Sequence, residues 1–283
     1  MAMSVINTNV RSLIAQNALT VNNRTLDKAM QQLSTGKRIN SAADDAAGLA
    51  IADKMSSQIR GLNQAVRNAN DGISMLQTAE GATQEITNML QRMRELAVQA
   101  ANDTNSTADR SALQLEADEL TEEIERIFIN TQWNGMNILD ASGSNAVGSA
   151  GDVILQVGIN NSSDDTIGID FGDFTYSDLA ISGDIDLSSN SDAQDALDTL
   201  DDAIAFVDEF RAKLGAKMNR LSYAADNLTN ISTNTAASRS RILDADYASV
   251  TTELARSQII QQAATAMLAQ ANQMPQTVLS LLK

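Results

Sequence analysis

The sequence predicts a mainly α protein: a long antiparallel helical bundle or coiled-coil rod with a small β-hairpin region in the middle of the chain. Apolar residues recur at alternating steps of three and four over long stretches, the spacing of a helical seam. Only nine of the 283 residues are aromatic, and none precedes Phe128. A core in that first part must use Leu, Ile, Met, Val and Ala, which suits thin layers of packed helices better than a thick globule. Strand-like residues collect in one central segment.

The first seam runs Met55, Ile59, Leu62, Val66, Ala69, Ile73, Leu76. Past Ala79 the phase slips, and Ile86, Leu90, Met93, Ala97 and Ala100 resume it. This predicts one helix of about 55 residues, roughly 80 Å long at 1.5 Å per residue. A second seam, Leu113, Ala117, Leu120, Ile124, Ile127, follows. The third runs from Leu197 through Leu200, Ile204, Val207, Arg211, Leu214, Met218, Leu221 and Ala225 to Leu228, with Arg211 its single charged position. Ser191 and Gln194 form a capping-box pattern just ahead of it. A lone amphipathic helix cannot bury its stripe, so the first and third seams must pair across a hundred residues of chain.

Between them the pattern changes. Asn134-Gly135 signals a tight turn, and Val153–Val157 and Thr166–Phe171 flank a polar Asn160–Asp165 loop, which predicts a β-hairpin. We expect this segment to cap the distal end of the helical rod. The two ends are rich in Ala, Gln, Asn, Ser and Thr with thinner stripes: Ile6, Val10, Leu13, Leu19, Leu26 and Leu33 at one, and Ile260, Ala264, Met267, Ala271, Met274, Val278 and Leu281 at the other, where Pro275 removes a backbone donor. Helices of that kind bury little alone, so both ends are expected to be largely disordered in a single chain and to order when many copies pack. The expected domains are an inner terminal coiled-coil domain, residues 1–42 with 240–283, and a helical rod domain, 43–239. Within the latter, 131–189 form the hairpin and loop segment.

Composition narrows the chemistry. Without cysteine there is no disulfide, thiolate nucleophile or Cys-based zinc site, and without histidine no Ser-His-Asp triad or His-ligated metal. The chain is expected not to be an enzyme, with no catalytic residue, cofactor or metal. The net charge of −16 is uneven: no basic residue lies between Arg126 and Arg211, while sixteen acids lie from Asp140 to Glu209. That leaves 20 acids against the 20 bases elsewhere, so the flanks are neutral and suit packing against copies of themselves. The acidic middle disfavours nucleic acid. No segment approaches 18 uninterrupted apolar residues, so no membrane insertion is expected, and no cleavable signal is visible at the start.

Short motifs read as structure. Gly36-Lys37-Arg38 lacks the first Gly and the Ser/Thr of a phosphate loop. Asp184, Asp186, Ser188 and Asn190 are spaced like a calcium loop without its turn Gly or closing Glu. Glu116, Asp118, Glu119, Glu122, Glu123 and Glu125 form an acidic run that reads as a solvated helix face.

Longer stretches resemble a known family. Ile6-Asn7-Thr8-Asn9-Val10, the run from Leu33-Ser34-Thr35-Gly36 through Asp44-Asp45-Ala46-Ala47-Gly48-Leu49-Ala50-Ile51, Asn70-Asp71-Gly72-Ile73-Ser74, Gln91–Gln99, Asn134-Gly135 and Val278-Leu279-Ser280-Leu281-Leu282 strongly resemble bacterial flagellin, over about residues 1–140 and 190–283. The resemblance implies a structural subunit that self-assembles into the filament of the bacterial flagellum for motility, secreted and extracellular. It implies export in unfolded form, folding of the termini on polymerisation, an export chaperone at the C-terminus, and filament cap and hook-associated proteins as partners. The middle of about fifty residues departs from longer members and implies a thin, smooth filament. Arg92, Leu96 and Glu116 match the pattern read by innate immune receptors of the Toll-like class, and serve equally as assembly contacts. Val278, Leu279, Leu281 and Leu282 match the C-terminal apolar motif implied in chaperone binding, inner-layer packing and inflammasome sensing. The alternative of the same class is a hook–filament junction protein.

Overall fold

Heptad spacing becomes helix wherever it is sustained. The computed structural model describes residues 9–140, 146–148, 152–172, 174–179, 181 and 185–280, with side chains through 273. The helices are α1 (Val10–Thr35), α2 (Ala46–Ala100), α3 (Thr107–Asn130), α4 (Asn190–Leu243) and α5 (Tyr247–Ser280). Two antiparallel strand pairs lie between α3 and α4: β1 (Gln132–Trp133) with β2 (Met136–Asn137), and β3 (Asp152–Gln156) with β4 (Thr166–Asp170). The chain divides into two compact units, residues 58–233 and residues 1–57 with 234–283.

In the 58–233 unit the core lies between α2, α3, α4 and the middle segment. The fully buried line of α2 runs Leu62, Ala65, Ala69, Gly72, Leu76, Ala79, Thr83, Ile86, Leu90, Met93, Ala97, Ala100, in unbroken steps of three and four. The phase slip expected past Ala79 is absent. Thr83 occupies the seam there, wholly buried, and its hydroxyl donates to the Glu80 carbonyl at 2.9 Å, which removes the cost of burying it. Ala65 and Gly72 take the innermost places, and Val66 and Ile73 lie half-buried beside them.

Helix α4 pairs with α2 in antiparallel register, as the two long seams require. The Arg94 guanidinium donates to Asp201, Arg211 to Gln84, and Ser232 Oγ to Asn63 Oδ1 at 2.9 Å, so each step forward on α4 matches an equal step back on α2. The cap of α4 lies earlier than expected. Ser189 accepts from the Asp192 amide at 3.2 Å and donates to its carboxylate, while Ser191 is already inside the helix. Asn190 then donates to the Ala101 carbonyl, just past the end of α2. Arg110, at the start of α3, is buried and donates to the Ala100 carbonyl at 2.8 Å, and Ser106 with Asp109 makes a capping box ahead of it.

The acidic middle is not a solvent loop. It contributes much of the core: Ile138, Leu139, Phe171, Phe174, Leu179, Ile181 and Leu187 are buried. Phe174 stacks on Phe210 at 4.0 Å between centroids and on Phe128 at 5.0 Å, and with Phe171, Tyr176 and Phe206 these rings meet in one cluster. Alternation explains how an acidic segment manages this, since in β4 Ile167 and Ile169 point inward while Gly168 and Asp170 face out.

The predicted hairpin forms as β3–β4, with Val153 opposite Ile169 and Leu155 opposite Ile167. It does not cap an end of the helices. Leu155 packs into the space left by Gly72 of α2, Asn68 Nδ2 donates to the Gln156 carbonyl at 2.9 Å, and Lys217 of α4 donates to the Gly168 carbonyl at 2.7 Å. The hairpin therefore lies along the flanks of both helices, drawn there by its buried apolar face. Asn134-Gly135 forms the tight β1–β2 turn with φ of 51° and 80°, both in the left-handed region.

In the other unit, α1 and α5 are helical and lie side by side, antiparallel. Asn9 Nδ2 donates to the Ala271 carbonyl at 2.8 Å, Asn22 Nδ2 to that of Ser257 at 2.8 Å, and Gln261 to Asn23 Oδ1 at 3.1 Å. Their larger apolar side chains are left uncovered. Gly36, with φ of 69°, ends α1 by donating its amide to the Gln32 carbonyl, and Arg38 caps α4 by donating to the Ile242 carbonyl at 2.7 Å. The Gly-Lys-Arg motif is thus a helix terminator.

Candidate assembly surface

The seam between α1 and α5 is built from small and polar side chains. Ser12, Asn22 and Ala29 of α1 and Ser257 of α5 are buried, and Leu19, Leu26, Leu33, Ala264 and Ala271 are half-buried. The larger apolar residues face outward: Ile14 is 65% exposed, Val21 54%, Ile259 66% and Met267 65%. Val10, Leu13, Met30 and Ile260 are also exposed. The expected C-terminal stripe therefore splits, with Ala264 and Ala271 turned toward α1 and Ile260 and Met267 turned away.

The reason lies in size and polarity. Small side chains let the two helices approach closely enough for the Asn9 and Asn22 amides to reach backbone carbonyls across the seam and for Gln261 to reach the Asn23 side chain, so Asn22 is buried with its donor satisfied. The bulkier residues are left on the flanks. Ile14, Val21, Arg256 and Ile260 line a groove of about 560 Å³ along the pair, and Ile14 and Met267 line another of about 270 Å³. Sequence reasoning marked Val10, Leu13, Ile260 and Met267 as apolar but expected them to share a seam with their neighbours. It missed Ile14, Val21 and Ile259. The available signal was the Asn and Ser residues at seam positions, which displace the large residues to another face.

Asp44 ties the junction after α1 together. Asp44 accepts from the Asn40 and Ser41 amides at 3.2 and 3.1 Å and pairs with Lys28 at 2.9 Å. Lys28 first, and then the two amides, lower its pKa to about 2.

Arg92 and Glu116 come together. Arg92 bridges Glu116 at 2.8 Å and Glu95 at 2.9 Å, and both Arg92 and Glu116 are about half exposed, at 49% and 46%. The carboxylates, Glu116 most, raise the Arg92 pKa further above the ordinary arginine value. Leu96 is not on that surface. It is 1% exposed, inside the α2 core line, and offers nothing to a partner while the helices stay packed. The side chains of Val278 and Leu279, and residues Leu281 and Leu282, lie outside the described residues. Of the calcium-like set, Asp186 accepts from the Ser188 amide at 2.8 Å, and Asn190 binds Ala101 and Asp103. Among the described residues no group of acidic side chains could hold a metal ion, and no helix is long and apolar enough to cross a membrane.

Most of the chain is similar to known proteins. The chain matches the model of the bacterial flagellin N-terminal helical region over residues 6–144 and that of the C-terminal helical region over residues 197–282. It is 46% identical over 279 residues to a flagellin of Halalkalibacterium halodurans, covering 99% of this chain and 100% of that one. It is 44% identical to a flagellin of Xenorhabdus nematophila, covering 99% of both chains. Among solved structures, the crystal structure of Bacillus cereus flagellin matches with a TM-score of 0.51 at 33% identity, covering 61% of this chain and 94% of that one. A Vibrio parahaemolyticus protein described as a putative flagellar hook-associated protein shares the fold, with a TM-score of 0.61 at 15% identity over 71% of this chain and all of that one.

Proposed function

The chain belongs to the bacterial flagellin family, and on that premise we propose that α1 and α5 are the part of the subunit completed by other subunits. A flagellin is a structural protein, a subunit of the flagellar filament assembled from many copies. The observation that carries the proposal is the outward apolar face of α1 and α5, with Ile14, Val21, Ile259 and Met267 each more than half exposed. Burying such side chains is worth about 1.5–3 kcal/mol each, and a single chain leaves most of that ungained. Copies packed side by side on this face gain it.

In this reading, residues 1–42 with 240–283 form the inner layer of the filament. The apolar C-terminal residues, Val278, Leu279, Leu281 and Leu282 among them, are covered by an export chaperone before assembly and by neighbouring subunits after it. Export in unfolded form through a narrow channel suits a chain with no disulfide to block it, and assembly under a cap protein suits ends that gain burial only at the growing tip. The test is polymerisation. Purified full chain, seeded or salted, should form long uniform fibres by negative-stain microscopy, and the chain lacking residues 1–35 and 245–283 should form none. Fibres from the trimmed chain would overturn the reading.

A second reading rests on the exposed Arg92–Glu116 pair: this patch is the contact for a Toll-like receptor. It draws on Arg92 and Glu116 alone, since Leu96 is buried. Full receptor activation by an Arg92→Ala protein would sink it.

A further inference from the structure

Between the hairpin and the helices of the 58–233 unit lies a groove of about 410 Å³ that the chain does not fill. Leu62, Ile159, Leu228 and Ile231 form its apolar lining, Arg220 stands on the α4 wall, and Asp164 lies on the hairpin rim. Ile159 and Ile231 remain 40% and 42% exposed, and Tyr223, beside Arg220, is 76% exposed. Arg220 is exposed and has no ion pair among the described residues. It ends a basic run, Arg211, Lys213, Lys217, Arg220, that holds no acid, whereas the charged residues of 190–209 in the same helix are all acidic.

The outer face of α3 is the counterpart. Leu115, Glu119, Glu122, Arg126 and Ile129 recur at steps of four and three, opposite the buried line through Ala117, Ile124 and Phe128. Leu115 is 67% and Ile129 46% exposed. Glu119 and Glu122, between them, are exposed and make no ion pair among the described residues. One face thus offers an apolar hollow with an unpaired cation, and the other offers apolar knobs with unpaired carboxylates.

We propose that the groove between the hairpin and α4 receives the outer face of α3 of a second copy of this chain, with Glu119 or Glu122 on Arg220 and Leu115 or Ile129 against Ile159 and Ile231. Such a contact joins two different faces, so it does not close on itself and propagates from copy to copy. Asp164 on the opposite rim repels the incoming carboxylates and directs them to the Arg220 side. The proposal rests on the assembly reading but concerns a surface separate from α1 and α5.

Because the chain has no cysteine, the contact is testable by mixed cross-linking. Leu115→Cys and Ile231→Cys chains are made separately, mixed in equal parts, polymerised and oxidised. Mixed covalent dimers are expected in the polymer and not in dilute monomer. Polymer without mixed dimers overturns the groove assignment and leaves the terminal reading intact, whereas an unaltered chain that does not polymerise overturns both. As a second arm, Arg220→Glu should raise the critical concentration for polymerisation about tenfold, and adding Glu119→Lys with Glu122→Lys to the same chain should restore it to within about threefold. An Arg220→Glu chain that melts like the parent and polymerises unchanged, or a reversal that fails to restore a lost contact, counts against the pairing. Retention of normal assembly by all variants, with the groove capturing some other protein instead, does the same.

Discussion

The two units use the same helical geometry to opposite ends. Across α2 and α4, between residues 58 and 233, large apolar side chains face inward among the small ones: Leu76, Ile86, Leu90, Leu200 and Leu221 are completely buried. Across α1 and α5 the fully buried places go to Ser12, Asn22, Ala29 and Ser257, the leucines Leu19, Leu26 and Leu33 are half-buried, and Ile14, Val21, Ile259 and Met267 face solvent. The first pair completes its core within one chain. The second satisfies its seam polar groups within the chain and leaves its larger apolar side chains uncovered, and in the proposed reading other subunits cover them. In that reading a helix pair is self-sufficient or assembly-dependent according to which side chains occupy its seam, not according to its length or its spacing.

The largest expected effect that separates the units comes from the aromatic cluster. Phe174→Ala removes a ring stacked against Phe128, Phe206 and Phe210 and should destabilise the monomer by about 3–5 kcal/mol, read as a fall in denaturation midpoint. Leu90→Ala follows at about 2–5 kcal/mol. Next comes Gly72→Ala. A Cβ there meets Leu155, so the hairpin must shift at a cost of about 1–3 kcal/mol, visible as lost amide protection in β3 and β4 while α2 stays protected. Met267→Ala should leave the monomer's melting within about 0.5 kcal/mol of the parent and yet weaken polymerisation. A large monomer effect at Met267, or none at Phe174, would erase the contrast between the units.

The smallest effect concerns pH. The Asp44 pKa is held at about 2, below its ordinary 3.8, so its pairing stabilises the fold fully above 3.8 and the contribution is lost as pH falls through 2. Carboxyl NMR titration should give a midpoint near 2 for Asp44, moving toward 3.8 in Lys28→Met. An unperturbed midpoint in the parent would show that the Lys28 contact is not held in solution.

Most of the long-helix architecture was legible because the spacing of Leu, Ile and Ala is a direct record of one buried face. The hairpin was legible for the same reason, as two alternating runs around a polar loop. Three features were not. Thr83 hid the continuity of the α2 seam, since a hydroxyl returned to its own helix backbone is as buriable as a methyl, and a hydropathy reading counts it as a break. The buried role of the middle segment was masked by its charge, because acids at alternate positions lower the average without touching the inward residues Ile167, Ile169 and Phe171. The exposed faces of α1 and α5 were masked in the opposite sense. Ile260 and Met267 keep heptad spacing, but the seam is taken by Ser257, Gln261 and Ala264 one face away. Arg92 and Glu116 share a surface because α2 and α3 lie antiparallel, and that pairing also sets Leu96 inside.

Hydrogen exchange on the monomer and on the assembled polymer compares the two units within one experiment. The account predicts that amides of α1 and α5 exchange rapidly in dilute monomer and become protected in the polymer, while amides along Leu62–Ala100 of α2 are protected in both. Amides of α1 and α5 as slow in the dilute monomer as those of α2 would contradict it.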